Sequence, residues 1–527
     1  MQDVANPIVK KGMKFSSLEE LKFFLADYAV RVFRPFSVVH SDRNLRMAHP
    51  VFPLLESAHD SKHRAHFMVD EGEEFEPLRP RTHRPLRWDE RYACYIRRAG
   101  LLPLARVVCA GLPVMDGPLL TCFVDRWRPE THSFHLPCGE VTVTLEDVAM
   151  ILGLPLEGLA VTGIIQSDGW RDMVEQVIGV RPAEAAEGGR EKKTAGVSSA
   201  WLRQHFNHCP PGAPDHVVER HARVWLWHLC GGFLFPDGQG NQVTWSVLPI
   251  LSQQWENIGA YSWGSATLSW LYRQLCEACK RKGADSNLGG CAYLLQIWIW
   301  MRFGVGRPYR GELEDWMHND EGSRPTVAFL WKNVPAVRGG PTRRYKQYMD
   351  DLDCITESQI FWEPYTKDFA DELNELGLSP MCTRDRDLWR SNVPLIFFHV
   401  VELHLPHRVL RQFGRLQPFP PEAISTSQAL HRYDRRKRYS ENDWRVTHAN
   451  YLQQWNERQR MEPTSGPMHR HTHYIAYLRW YHSVTRAFVK PPVPNPSVPI
   501  EDRPDTDDEE DDITDDYDRL TQGQKEL

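Results

Sequence analysis

The sequence predicts a mainly α, multihelical globular domain with one small β-hairpin, preceded by a short α+β piece and followed by a disordered acidic tail. Three observations carry this. Apolar residues recur at helical spacing between residues 88 and 489, most clearly over 265–282 and 291–303. Hydrophobic residues make up 41% of the chain, with 19 Trp, 17 Tyr and 22 Phe, enough for a large packed core. Residues 500–527 hold 13 acidic against three basic residues, a net of −10 in a chain of net −6, so the remainder carries +4. Such a tail cannot bury enough apolar surface to fold.

In chain order, Ser17 is placed to cap a helix with Glu20 three residues on, and Leu18, Leu21, Phe24, Leu25, Tyr28 and Ala29 share one face. Residues 36–39 then read as a strand, and with the turn at Ser41-Asp42 they complete a unit over 11–47. Residues 48–87 are charged, with acids over 71–76 followed by Pro77, Pro80 and Pro85, and read as a linker. The main domain, 88–489, opens with expected helices at 91–99, 101–109 and 119–126. Phe134 to Leu136 and Val141 to Val143 flank the turn-rich Pro137-Cys138-Gly139-Glu140, which predicts a hairpin. Thr144 stands three residues before Asp147, with Leu145, Val148, Ala149, Ile151 and Leu152 on one face and Gly153 and Pro155 behind. That spacing gives an N-capped helix whose short polar side implies burial. Further helices are expected at 170–178, 216–229, 265–282, 291–303, 404–413, 446–459 and 474–487, with a loop at 182–196, a turn at 236–240 and a strand at 395–401. Residues 490–527, Pro-rich and then acidic, are expected to be disordered.

The densest cluster of motifs carries a resemblance. Trp127, Arg128, Pro129, Glu130, Thr131 and His132, then Phe134, Pro137, Cys138, Gly139 and Glu140, then Thr144, Leu145, Asp147, Val148, Leu152 and Gly153 resemble the signature of the plant mobile domain. This family, also labelled aminotransferase-like, occurs in plant transposable elements and in host genes derived from them. The likeness continues at 88–92, 225–227, 263–266, 287–291 and 405–409, and so covers roughly residues 85–490. It implies a non-catalytic nuclear protein of transposon origin, acting through interactions in transposable-element silencing, genome maintenance and meristem development. Residues 11–47 are similar to the start of the N-terminal domain of Mutator-type transposases, through Gly12 to Phe15 and Ser41-Asp42. The zinc-binding continuation of that domain is missing, since 45–87 contains no cysteine, so the piece reads as a truncated remnant.

Three groups invite a metal or redox reading. Cys276 and Cys279 share a helix face, but zinc generally takes four ligands and no second pair follows, so buried thiols are expected. His469, His471 and His473 alternate, and in an extended segment would present three imidazoles on one side. His132, His135 and Cys138 beside Glu140 lack the spacing of a known metalloenzyme, and the turn accounts for Pro137 and Gly139. The aminotransferase-like label would require a Schiff-base lysine and a large α/β domain, neither visible here. No cofactor is expected, and the protein is read as not an enzyme. Some family members are fused to a phosphatase, whose metal motifs are absent here, so nuclear proteins, including a phosphatase of that type, are the expected partners. No window reaches 18 apolar residues, which argues against a membrane partner. The basic run 432–438, with Arg435, Arg436, Lys437 and Arg438, reads as a nuclear-import or phosphate-contacting patch and points to the nucleus. Two other classes compete: a transposon-encoded DNA-binding accessory protein, marked by a basic patch and salt-dependent duplex binding, and an enzyme with an unrecognised site around His132, His135, Cys138 and Glu140.

Overall fold

Two helices, Trp263–Ala278 and Ala292–Arg302, form the centre of the domain. Their sequences are apolar on nearly every side, and in the computed structural model every residue of the second and all but Glu277 of the first are buried, as an all-round apolar helix requires. The structure describes residues 52–165, 168–183, 196–238, 242–309, 324–365, 378–420, 430–431 and 442–489. The expected α+β piece at 11–47, the basic run at 432–438 and the acidic tail lie outside the described residues. The architecture is mainly α with a few small strands, as the periodicity predicts.

The helix Leu145–Leu152 packs against both central helices. Thr144 Oγ1 accepts from the Asp147 amide while the Asp147 carboxylate accepts from the Thr144 amide, a reciprocal capping box, and Gly153 closes the helix at φ 62°. Preceding it is a three-stranded antiparallel sheet, Trp127–Arg128, Ser133–Leu136 and Gly139–Val141, one strand more than the expected hairpin. Its register pairs Phe134 with Val141 and Leu136 with Gly139. Gly139 sits at φ 117°, and a Cβ there would lie 2.6 Å from the Tyr474 hydroxyl, so the turn admits only glycine. That hydroxyl belongs to the last helix, His471–Val484, which lays the buried Tyr474, Tyr477 and Tyr481 over the sheet.

Several expectations are corrected. The strand expected at 395–401 is a two-stranded hairpin, Val393–Phe397 and Val400–His404, packed on Trp263–Ala278. The chain reverses at Phe398 and His399, with Phe398 at φ 47° and its amide bonded to the Val161 carbonyl, so a tertiary contact makes a turn that the apolar run conceals. The helix expected at 404–413 is a strand end followed by two short 3₁₀ turns, Pro406–Arg408 and Leu410–Phe413. Pro406 disfavours helical geometry at Leu405, and Gly414 at φ 67° ends the second turn.

The segment read as a linker from 48 onwards is, over its described part, built into the body. It holds short helices at Ser57–Asp60 and Arg64–His66, a π-turn at Phe67–Glu71 and a strand Arg79–Pro80 pairing in parallel with Asn287–Leu288. Its own apolar content is low, but Arg64 Nε donates to Asp125 Oδ1 at 2.5 Å and His63 Nε2 donates to the Trp127 carbonyl at 2.7 Å. A charged segment stays solvated only where its charges have no partner within the protein; here Arg64 pairs with the buried Asp125.

Candidate functional site

The signature residues converge inside the protein rather than at a cleft. Trp127, Arg128, Glu130, Thr131, His132, Phe134, Glu140, Thr144, Leu145, Asp147, Val148 and Leu152 are all buried. Each ionic group meets a partner from a distant element. Arg128 donates to Asp60 at 3.1 Å, and Glu130 accepts the Glu56 amide at 3.0 Å, with burial pushing its carboxyl up to about 7. Glu140 receives a bidentate pair from Arg408, 2.8 Å from Nε and 2.7 Å from Nη2, and accepts from Ser133 at 2.7 Å. Asp147 divides its oxygens: Oδ2 serves the cap, while Oδ1 takes Arg302 at 2.7 Å and Tyr365 at 3.0 Å. His135 lies between the hydroxyls of Thr131 and Thr485, at 2.9 and 2.5 Å, and burial holds its imidazole well below the usual range.

Of the four residues around which an unrecognised site was weighed, only His135 and Glu140 come together, with 3.9 Å between ring nitrogen and carboxylate. His132 faces away from the others and toward Glu402 and Cys276, while His135 and Glu140 share the Thr131, Ser133 and Arg408 network and the Cys138 carbonyl accepts from Tyr474. Cys276 and Cys279 are both buried, and burial pushes the Cys279 thiol up to about 12. Ligand atoms of His132, Cys276 and Glu402 lie within 4.8 Å of one another, the group of metal-ligating type among the described residues. The histidine triplet is corrected: His471 and His473 fall on a helix, so only His469 and His471 approach one carboxylate, Glu357, at 3.3 and 3.0 Å. His473 is exposed.

Beside the helix N-terminus lies a cavity of about 220 Å³, lined by Glu146, Glu363, Tyr365, Trp389, Arg390, Gln412, Phe413 and Arg415. Burial, then the neighbouring Asp147, push the Glu146 carboxyl up to about 8. Two carboxyls and two guanidiniums offer hydrogen bonds to a polar ligand but no nucleophile paired with a base. Sequence reasoning missed Arg273, Arg302, Glu402 and Glu146. The first three had a signal: each is a lone charge inside an apolar run, which burial tolerates only when a partner exists.

His404 shows how the strands brace the signature helix. Its Nδ1 donates to the Ser391 carbonyl at 2.9 Å, so Nε2 is left to accept the Leu145 amide at 3.3 Å, and burial lowers its pKa to about 4. Only the neutral ring does this. A folded-state pKa below the unfolded 6.5 means stability that is present above pH 6.5 and lost as pH falls toward 4. His404→Gln is expected to lose less stability than the parent between pH 6.5 and 4.5, by up to about 3 kcal/mol. Urea unfolding at the two pH values measures it, and equal losses would show that His404 does not titrate with unfolding.

The fold and site thus define a helical domain whose densest motif is its core, with ionic groups matched by internal partners. The chain belongs to the plant mobile domain family, whose profile matches residues 105–482. The proteins it is similar to include three of Arabidopsis thaliana. A serine/threonine-protein phosphatase 7 long form homolog is 38% identical over 386 residues, covering 72% of this chain and 27% of that protein. Protein MAINTENANCE OF MERISTEMS is 34% identical over 311 residues, 58% of this chain and 59% of that protein. Protein MAIN-LIKE 2 is 31% identical over 405 residues, 76% and 55%. The chain therefore spans little more than half the length of the latter two and about a quarter of the first. No solved structure matches it. The expected Mutator-type likeness at 11–47 lies outside the matched residues.

Proposed function

We propose that this protein is a non-catalytic interaction protein of the plant nucleus, of transposon origin, acting in transposable-element silencing, genome maintenance and meristem development. One observation carries the non-catalytic part: the ionisable signature residues Arg128, Glu130, Glu140 and Asp147 are buried and each is bonded to an internal partner, as suits a framework that presents a surface. The printed name of the meristem-maintenance relative supports the developmental role, and the phosphatase-named relative supports a phosphatase as a protein partner. No helix among the described residues is long and apolar enough to cross a membrane.

Nuclear action rests on the run containing Arg435, Arg436, Lys437 and Arg438. A 61.2 kDa chain enters nuclei slowly without an import signal. A fluorescent fusion is expected to accumulate in plant nuclei, and accumulation should weaken when those four residues become Ala. A wild-type fusion that stays cytosolic would contradict the reading.

A further inference from the structure

We infer that His132, Cys276 and Glu402 form a buried zinc site that ties the signature sheet to a central helix and to the hairpin strand Val400–His404. The geometry at His132 is the starting point. Its Nδ1 lies 3.1 Å from the Leu403 carbonyl, which can only accept, so Nδ1 carries the hydrogen and Nε2 points the other way. That Nε2 lies 2.9 Å from Glu402 Oε2 yet makes no hydrogen bond of acceptable geometry, on a residue 1% exposed. A neutral imidazole would set two lone pairs against each other there. Something positive belongs between them.

A proton would satisfy His132 and Glu402 alone, but the third group is a thiol. Cys276 Sγ is within 4.8 Å of both ligand atoms, and Trp127 Nε1 donates to it at 3.2 Å, so the sulfur is an acceptor, as a metal-bound thiolate is and a neutral thiol can be. The neighbouring groups orient the set as outer partners of a metal do. The Leu403 carbonyl fixes the imidazole tautomer, and Arg273 Nε holds Glu402 Oε1 at 2.5 Å. His132 itself sits at φ 50°, a left-handed conformation costly for a non-glycine, and its ring stacks on Tyr272 at 5.3 Å. One nitrogen, one sulfur and one carboxylate oxygen suit zinc, with one position remaining, and His431 Nε2 lies 3.7 Å from the other Glu402 oxygen.

Charge balance is compatible with burial. Zinc displaces the thiol proton, so Zn²⁺ and Cys276–SH give the zinc thiolate and one released proton. With Glu402 and Arg273 the site then carries +1, the same as with an imidazolium and a thiol.

The test uses the untagged full chain, expressed with zinc and purified without chelator. Elemental analysis should find about one zinc per chain, lost in Cys276→Ala and kept in Cys279→Ala, whose thiol is not in the set. Exchange into cobalt(II) should give thiolate-to-cobalt charge-transfer absorption from the wild-type protein, which decides the matter even where Cys276→Ala fails to fold. A metal-free wild-type chain that gives no such band with added cobalt(II) would overturn the proposal and leave an imidazolium–carboxylate pair. Full zinc retention in folded Cys276→Ala would overturn it equally.

Discussion

Arg408→Met is expected to destabilise the protein by about 3–5 kcal/mol, because it strands Glu140 as a buried, unpaired carboxylate. The two side chains are 1% and 0% exposed, so water cannot replace the lost guanidinium. Ser133 would remain as a hydrogen-bond donor to Glu140, too little to neutralise a buried charge. Adding Glu140→Gln removes that charge while keeping an oxygen for Ser133, so the double variant should recover much of the loss. Chemical unfolding of the three variants gives the coupling directly. Additive losses would show that the pair is not coupled in the folded state.

Leu152→Ala is expected to cost about 2–5 kcal/mol through lost burial and the cavity left behind. Leu152 is fully buried at the end of the signature helix, where Gly153 turns the chain against Thr326 and Pro103, so the site has little room to collapse. The variant's melting temperature checks this. A parental melting curve in a variant inactive in plants would make the signature a working surface.

Local rules exposed the signature well. Thr144 and Asp147 gave a cap and Gly153 a stop, and Pro137-Cys138 a turn, although the second strand starts at Gly139 and not at Val141; each depends on neighbours a few residues away. What stayed hidden depends on distant partners. Glu402 reads as an oddity in Val-Val-Glu-Leu-His until Arg273, 129 residues away, meets it. The 48–87 segment looked like a solvated linker because the Asp125 that holds Arg64 lies 61 residues on. The same limit concealed the His132, Cys276 and Glu402 cluster: the chain separates these residues, and only the packing of sheet, helix and hairpin joins them. The hairpin turn at Phe398 was illegible for another reason, since a buried Phe in left-handed geometry carries no turn signal.

A signature that is framework needs Glu140 and Arg408 only for folding, whereas a reacting site needs them for function as well. The most direct measurement sets folding against function in one variant, Glu140→Gln with Arg408→Met, introduced into plants lacking the gene, with its thermal unfolding measured in parallel. With a framework signature and the developmental role proposed above, a double variant melting within a few degrees of the parent restores wild-type development. A double variant that folds like the parent and fails to restore development would make Glu140 and Arg408 functional groups in their own right and contradict the account.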